Sequence, residues 1–138
     1  GRVGWPGGGR HPGDESNLEC ALRGTAEELG VDLVQCGTQL GELTDVNKGW
    51  RADRPEMLVT PFVFQVTDVP AMSPNHEVAE VVWVPLDFFM QPDKRESMEW
   101  EWKGKKMETD SYLYASYRIW GLSLMMIDEM LMVLRDEV

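Results

Sequence analysis

Basic residues are scarce in this 138-residue sequence. Thirteen Lys and Arg stand against twenty-four Asp and Glu, a formal net charge of −11. A chain this acidic repels phosphate backbones at long range, which argues against DNA or RNA as a partner held through phosphates. Anionic lipid surfaces are disfavoured for the same reason. Long apolar runs are missing too. No stretch reaches the roughly 18 apolar residues of a membrane span, and no secretory signal opens the chain. Cysteine is limited to Cys20 and Cys36, too few for a disulfide scaffold or a four-thiolate zinc site. A reduced intracellular compartment is the expectation. What the sequence does have is apolar content, 43% of residues, enough for a packed core. The length suits one domain over residues 1–138. The chain opens at Gly1 without Met. This predicts a fragment or processed piece whose first strands lie upstream, where a mitochondrial targeting segment would also lie.

Local patterns divide the chain. Residues 1–16 hold six glycines and two prolines, a density that predicts a loop. Ser16 is placed as an N-cap, with Glu19 completing a capping box. A helix is predicted over residues 17–29, stopped by Gly30. Val31 to Leu43 reads as a strand with a turn at Gly37 or Gly41, and residues 44–56 as a surface loop. Met57 to Val66 is β-branched and aromatic, a strand with Pro61 marking a bulge or edge. After a proline-containing loop over 67–77, Val78 to Val84 reads as a strand ended by Pro85. Leu86 to Met90 starts a short helix. Met98 to Trp102 alternates as a half-exposed strand, Lys103-Gly104 turns the chain, and a long helix is predicted from Tyr114 to Arg135. Helices and strands mix, so the class is α/β or α+β in layers.

The most informative stretch runs from Gly7 to Val31. On a helical wheel Leu18, Leu22, Thr25 and Leu29 share the buried stripe, with Glu27 and Glu28 on the far side and position 24 between them. Adjacent carboxylates are tolerated when solvated or when a hard divalent cation neutralises them. A glycine-rich loop ahead of the helix lets backbone groups approach a ligand closely. These parts suit either a metal–pyrophosphate site or an ordinary acidic solvent face.

The same residues resemble the Nudix box, G-x5-E-x7-R-E-U-x-E-E-x-G-U with U apolar, over residues of about 8–31. From Gly9, the positions Glu15, Arg23, Glu27, Glu28, Gly30 and Val31 fit. A register from Gly8 through Asp14 fits equally well and resembles the coenzyme A diphosphatase branch. GRVGWPGG at residues 1–8, Val59-Thr60-Pro61-Phe62-Val63, Asn75-His76-Glu77-Val78-Ala79-Glu80 and Ile119-Trp120-Gly121-Leu122 are similar to further segments of that branch. The pattern departs at Gly24, where the family has glutamate, and Thr25 stands at the apolar position.

The resemblance implies a Nudix-like α/β/α sandwich with a mixed central sheet, lacking its N-terminal strands. It implies hydrolysis of a diphosphate with Mg²⁺ or Mn²⁺ as cofactor, coenzyme A or an acyl derivative being the small-molecule substrate. Glu27, Glu28 and the Gly8 carbonyl would hold metal. Gly7, Gly8 and Arg10 would contact substrate. Arg23 would orient a helix carboxylate, and Asp14 or Glu15 would support the loop. Glu77 is the distal carboxylate or base, with Glu80 as runner-up. Because of Gly24, a second reading stays open: a catalytically impaired Nudix-like binding or scaffold domain.

Other features read more plainly. His11 and His76 fit solvated loops, and Cys20 and Cys36 fit inert buried thiols. Lys103, Lys105 and Lys106 form the local basic cluster, a solvated turn. Trp100 and Trp102 fit core or interface. The methionine-rich C-terminal helix packs a core, and its broad apolar arc offers a surface for a homodimer mate. The terminal Arg135-Asp136-Glu137-Val138 is not a peroxisomal Ser-Lys-Leu address.

Overall fold

A computed structural model describes residues 3–47 and 58–136. The chain forms two compact units, one of Pro6–Val81 and one of Gly1–Trp5 with Val82–Val138. Every described strand pairing is antiparallel. The mix of helices and small sheets is consistent with the expected α/β/α architecture.

In the Pro6–Val81 unit, α1 spans Asn17–Leu29 as the sequence predicts. Ser16 Oγ accepts from the Glu19 N–H at 3.1 Å. The Glu19 carboxylate reaches back to the Glu15 N–H at 2.6 Å, one residue beyond the Ser16 N–H of the reciprocal capping-box bond. At the other end Gly30 takes φ 68°, a left-handed conformation suited to glycine, and its N–H closes on the Ala26 carbonyl.

The strand expected from Val31 starts only at Gly37. Asp32 caps a single helical turn, α2 at Leu33–Cys36, by accepting from the Val34 N–H at 3.0 Å. A side chain that satisfies the backbone locally competes with strand pairing. Then β1, Gly37–Glu42, pairs with β4, Phe62–Val66, with a bulge between Gln39 and Gly41. The run expected as one strand from Met57 is divided at Thr60-Pro61, where proline offers no N–H to a ladder. Its first part is β3, Leu58–Val59, paired with β2, Val46–Asn47, inside the stretch expected as loop. Met57 and the rest of the predicted loop, 48–56, lie outside the described residues. Residues 78–84, expected as a strand, form none. The Val78 N–H is turned back to the Asn75 carbonyl at 3.1 Å.

The other unit carries a 3₁₀ turn at Leu86–Met90 and another at Pro92–Lys94. A meander of β5 (Arg95–Trp102), β6 (Lys105–Tyr114) and β7 (Tyr117–Ile119) leads into α3, Gly121–Asp136. Lys103 and Gly104 both have positive φ, as a two-residue hairpin turn needs. The long helix expected from Tyr114 therefore begins seven residues late. Tyr112, Tyr114, Tyr117 and Ile119 favour strand, and Ala115-Ser116 closes a second hairpin.

The core here joins Phe89, Tyr112, Ile119, Leu124, Ile127 and Leu131. Phe89 meets Tyr112 edge-on at 5.1 Å, and the Tyr112 hydroxyl donates to the Phe89 carbonyl at 3.2 Å. Arg95 forks onto Asp128 of α3 with two 3.0 Å bonds and onto Asp110 at 2.9 Å. Met125, Met132 and Val133 of α3 remain exposed. No helix among the described residues is long and apolar enough to cross a membrane.

Candidate functional site

All residues of the glycine loop and acidic helix fall in the Pro6–Val81 unit. The loop does not stand off α1 but lies along it. Three contacts hold it there. The Cys20 thiol donates to the Gly8 carbonyl at 3.3 Å. Arg23 Nη2 donates to the Gly9 carbonyl at 2.9 Å. The Gly7 backbone N–H faces the Glu28 carboxylate and favours its charged form. Residues 20, 24 and 28 are spaced i, i+4, i+8 and so form one row on the helix. Cys20 and Gly24 in that row are buried.

This corrects the wheel reading of position 24. The wheel put it on the solvent side between Glu27 and Glu28, whereas Gly7 covers it. A Cβ built on Gly24 would lie 2.5 Å from the Gly7 carbonyl carbon, 2.7 Å from its oxygen and 2.9 Å from its Cα. The expected buried stripe is also only partly so: Thr25 is buried, while Leu18, Leu22 and Leu29 are half-buried.

Arg23 is the clamp of the loop. Its Nε and Nη2 take both oxygens of Asp14 at 3.0 Å. Nη1 takes both oxygens of Glu27 at 3.2 Å. A guanidinium suits this because its donors fan out in one plane. Asp14, with its side chain only 7% exposed, also accepts the His11 N–H at 2.7 Å. These bonds, Arg23 first, hold its carboxyl down at about 2. Arg23 is in turn held charged by Asp14 and then Glu27. Between the two alternatives for loop support, Asp14 makes the Arg23 contact, while Glu15 is exposed. Arg10 is exposed and reaches Asn17 Oδ1 at 3.4 Å.

Glu77 is brought toward α1 by backbone bonds. The last carbonyls of a helix have no partner inside it. Here the Asn75 N–H takes the Glu28 carbonyl at 2.8 Å and the Ser73 N–H takes the Leu29 carbonyl at 2.7 Å. Asn75 Oδ1 then accepts the Glu77 N–H at 2.9 Å, a tight turn that orients the following residue. Glu77 lies near enough for its charge to act on Glu28. The Glu28 carboxyl is pushed up, first by burial and then by the charges of Glu77 and Glu27, against the opposing Gly7 N–H. His76 stands 4.0 Å from Glu77, both exposed. Glu80 is exposed as well.

The donor chemistry fits a hard divalent cation. The groups are carboxylate and carbonyl oxygens, and Glu28 carries negative charge that its surroundings disfavour. Among the described residues no three His, Cys, Asp or Glu side chains converge into a ready cage. Mg²⁺ does not require one, since it keeps several waters and takes one or two carboxylates plus substrate oxygens. Sequence reasoning missed Cys20, Ser73 and Asn75 as positioning groups. The small residues at 20 and 24, set beside three consecutive glycines, are the signal that a backbone packs there.

Comparison with known proteins supplies the family. The family described as "NUDIX domain" matches residues 1–102. The "Uncharacterized Nudix hydrolase NudL" of Photorhabdus laumondii is 28% identical over 94% of this chain and 67% of its own length. The mitochondrial coenzyme A diphosphatase NUDT8 of Mus musculus is 30% identical over 89% of this chain and 58% of its own. The peroxisomal coenzyme A diphosphatase NUDT7 of Mus musculus is 37% identical over 67% of this chain and 37% of its own. The chain spans less than two thirds of the length of several such relatives. With its loop, arginine clamp and paired glutamates in place, the chain belongs to the Nudix family.

Proposed function

We propose that this chain hydrolyses a diphosphate bond in a small nucleoside-diphosphate-linked molecule, with coenzyme A or acyl-coenzyme A as the substrate class. The observation that carries the reading is the Glu28 carboxylate. It is partly desolvated, flanked by Glu27 and Glu77, and set against the glycine loop. The coenzyme A preference draws on the two mouse relatives and on the VTPFV and NHEVAE segments. The reading takes residues 1–138 as one Nudix domain, supported by a family match that runs through residues of both units.

Glu27, Glu28 and the Gly8 carbonyl would hold Mg²⁺ or Mn²⁺, which neutralises diphosphate charge and polarises the attacked phosphorus. Arg23 keeps Glu27 and the loop in place through its fork. Gly7, Gly8 and the exposed Arg10 line the side from which a phosphate approaches. Glu77 takes the proton of the attacking water as the oxygen–phosphorus bond forms, and the bridging oxygen departs with its electron pair on the second phosphate. Coenzyme A would give a phosphopantetheine and an adenosine bisphosphate.

A second reading is favoured by one specific observation. Gly7 fills the space at position 24, so the helix offers two carboxylates at this face rather than three. A domain of this kind could bind a diphosphate without turning it over. Phosphorus NMR of coenzyme A, acyl-coenzyme A and a panel of nucleoside-diphosphate sugars, each with Mg²⁺ or Mn²⁺, separates the two. Cleavage of coenzyme A ahead of the panel supports the hydrolase. Binding of these compounds without cleavage supports the impaired domain. Faster cleavage of another class replaces the substrate assignment.

A further inference from the structure

A glycine in mid-helix is costly, about 1 kcal/mol relative to alanine, and Gly24 sits in the middle of α1. The cost is explained by what the missing side chain admits. The Gly7 peptide occupies the volume where a Cβ would stand, with backbone carbon, oxygen and Cα all within 3.0 Å of that point. Backbone cannot rotate out of the way as a flexible side chain can. The next residue of the loop is bonded to the same helix row, Gly8 through the Cys20 thiol at 3.3 Å, and the Gly7 N–H faces Glu28 one turn beyond Gly24. The neighbouring Arg23 holds Gly9. By contrast, Gly8, Gly9 and Gly13 each have open space where a Cβ would go. The close approach is therefore specific to the Gly7–Gly24 pair.

We propose that Gly24 is a positioning residue. Its bare Cα lets the Gly7 peptide dock on α1, and this docking lays the loop backbone along the helix row that leads to Glu28, where the cation would be received. The proposal rests on the metal-dependent reading for its cation and on packing alone for its docking. It carries an unexpected consequence. Gly24→Glu restores the residue of the family pattern, yet it forces the loop off the helix instead of rebuilding a better site.

The test uses the whole chain and two probes. The first needs neither metal nor substrate. In the wild type, an NMR Overhauser contact between the α-protons of Gly7 and Gly24 is expected, and its absence overturns the docking. Amide exchange at Gly7 is expected to quicken about tenfold or more in Gly24→Ala, as the donor leaves Glu28. The second probe is Mn²⁺ binding followed by electron paramagnetic resonance. Gly24→Ala is expected to weaken it about tenfold, while Gly13→Ala, made in open space, leaves it unchanged. Gly24→Glu is expected to bind Mn²⁺ no more tightly than wild type and to hydrolyse coenzyme A no faster. Tighter binding or faster turnover in Gly24→Glu overturns the proposal. So does a Gly24→Ala variant with unchanged Gly7 exchange and unchanged Mn²⁺ affinity. A wild type that binds no Mn²⁺ overturns the metal reading, and Gly7 exchange in Gly24→Ala then decides the docking by itself.

Discussion

Replacing Gly24 by alanine sets two effects of opposite sign against each other. In an open helix position the change stabilises by about 1 kcal/mol, because alanine loses less backbone entropy on folding and shields the helix better. At Gly24 the added methyl would stand 2.5 Å from the Gly7 carbonyl carbon. Ordinary contact begins near 3.4 Å, so the loop backbone must retreat by almost 1 Å. Overpacking of this kind costs about 1–3 kcal/mol. A loop that peels away instead relieves this crowding but gives up its packing on the helix and its bonds at Cys20 and Arg23. Set against the propensity gain, the net expectation is a loss of up to about 2 kcal/mol. Urea unfolding of wild type and Gly24→Ala measures it, with Ala26→Gly as the calibration. Ala26 is exposed on the same helix, so that change should cost about 1 kcal/mol from propensity alone. A Gly24→Ala protein more stable than wild type by about the amount that Ala26→Gly loses would refute the close approach of Gly7.

Two further expectations follow from the titrating groups. The carboxyl of Asp14 lies at about 2 when folded, against an ordinary 3.8. Its contribution to stability is therefore complete above about pH 4 and is lost as pH falls through 2. The urea midpoint of wild type should exceed that of Asp14→Asn at pH 7, and the gap should narrow steadily as pH falls from about 4 towards 2; equal midpoints at pH 7 would sink the clamp. Glu77→Gln removes one of the charges that push the Glu28 carboxyl up, so carbon-13 titration should find Glu28 lowered, yet still above its ordinary value because burial is the larger cause. An unmoved Glu28 would mean that Glu77 does not face it.

The sequence made α1 legible to the residue, because Ser16 is a strong start signal and Gly30 a strong stop signal on either side of its thirteen residues. The β5–β6 hairpin was legible in part, since Met98, Trp100 and Trp102 alternate and Lys103-Gly104 turns. The start of α3 was not. Tyr117 and Ile119 extend its apolar spacing upstream, and only pairing with β6 reveals them as strand. Val78 to Val84 failed for a related reason: a valine-rich composition suits a strand but does not supply the partner it must pair with. In the site, Arg23, Asp14, Glu27 and Glu28 were visible as charges at fixed spacing. The meaning of Gly24 was not, because a helical wheel shows direction and not what lies in that direction. Glu77 was placed by motif, yet its nearness to Glu28 comes from Ser73 and Asn75 binding the end of α1, a backbone interaction that side-chain patterns do not encode.

The most direct test of the account is the rate at which the intact chain cleaves coenzyme A with Mg²⁺, compared with Glu28→Gln. Glutamine keeps the shape and can still accept the Gly7 N–H, but it loses the charge that would hold the cation. The account predicts that wild type turns over and that Glu28→Gln falls by about 10²–10³-fold with its fold intact. A wild-type rate that Glu28→Gln leaves unchanged would contradict it.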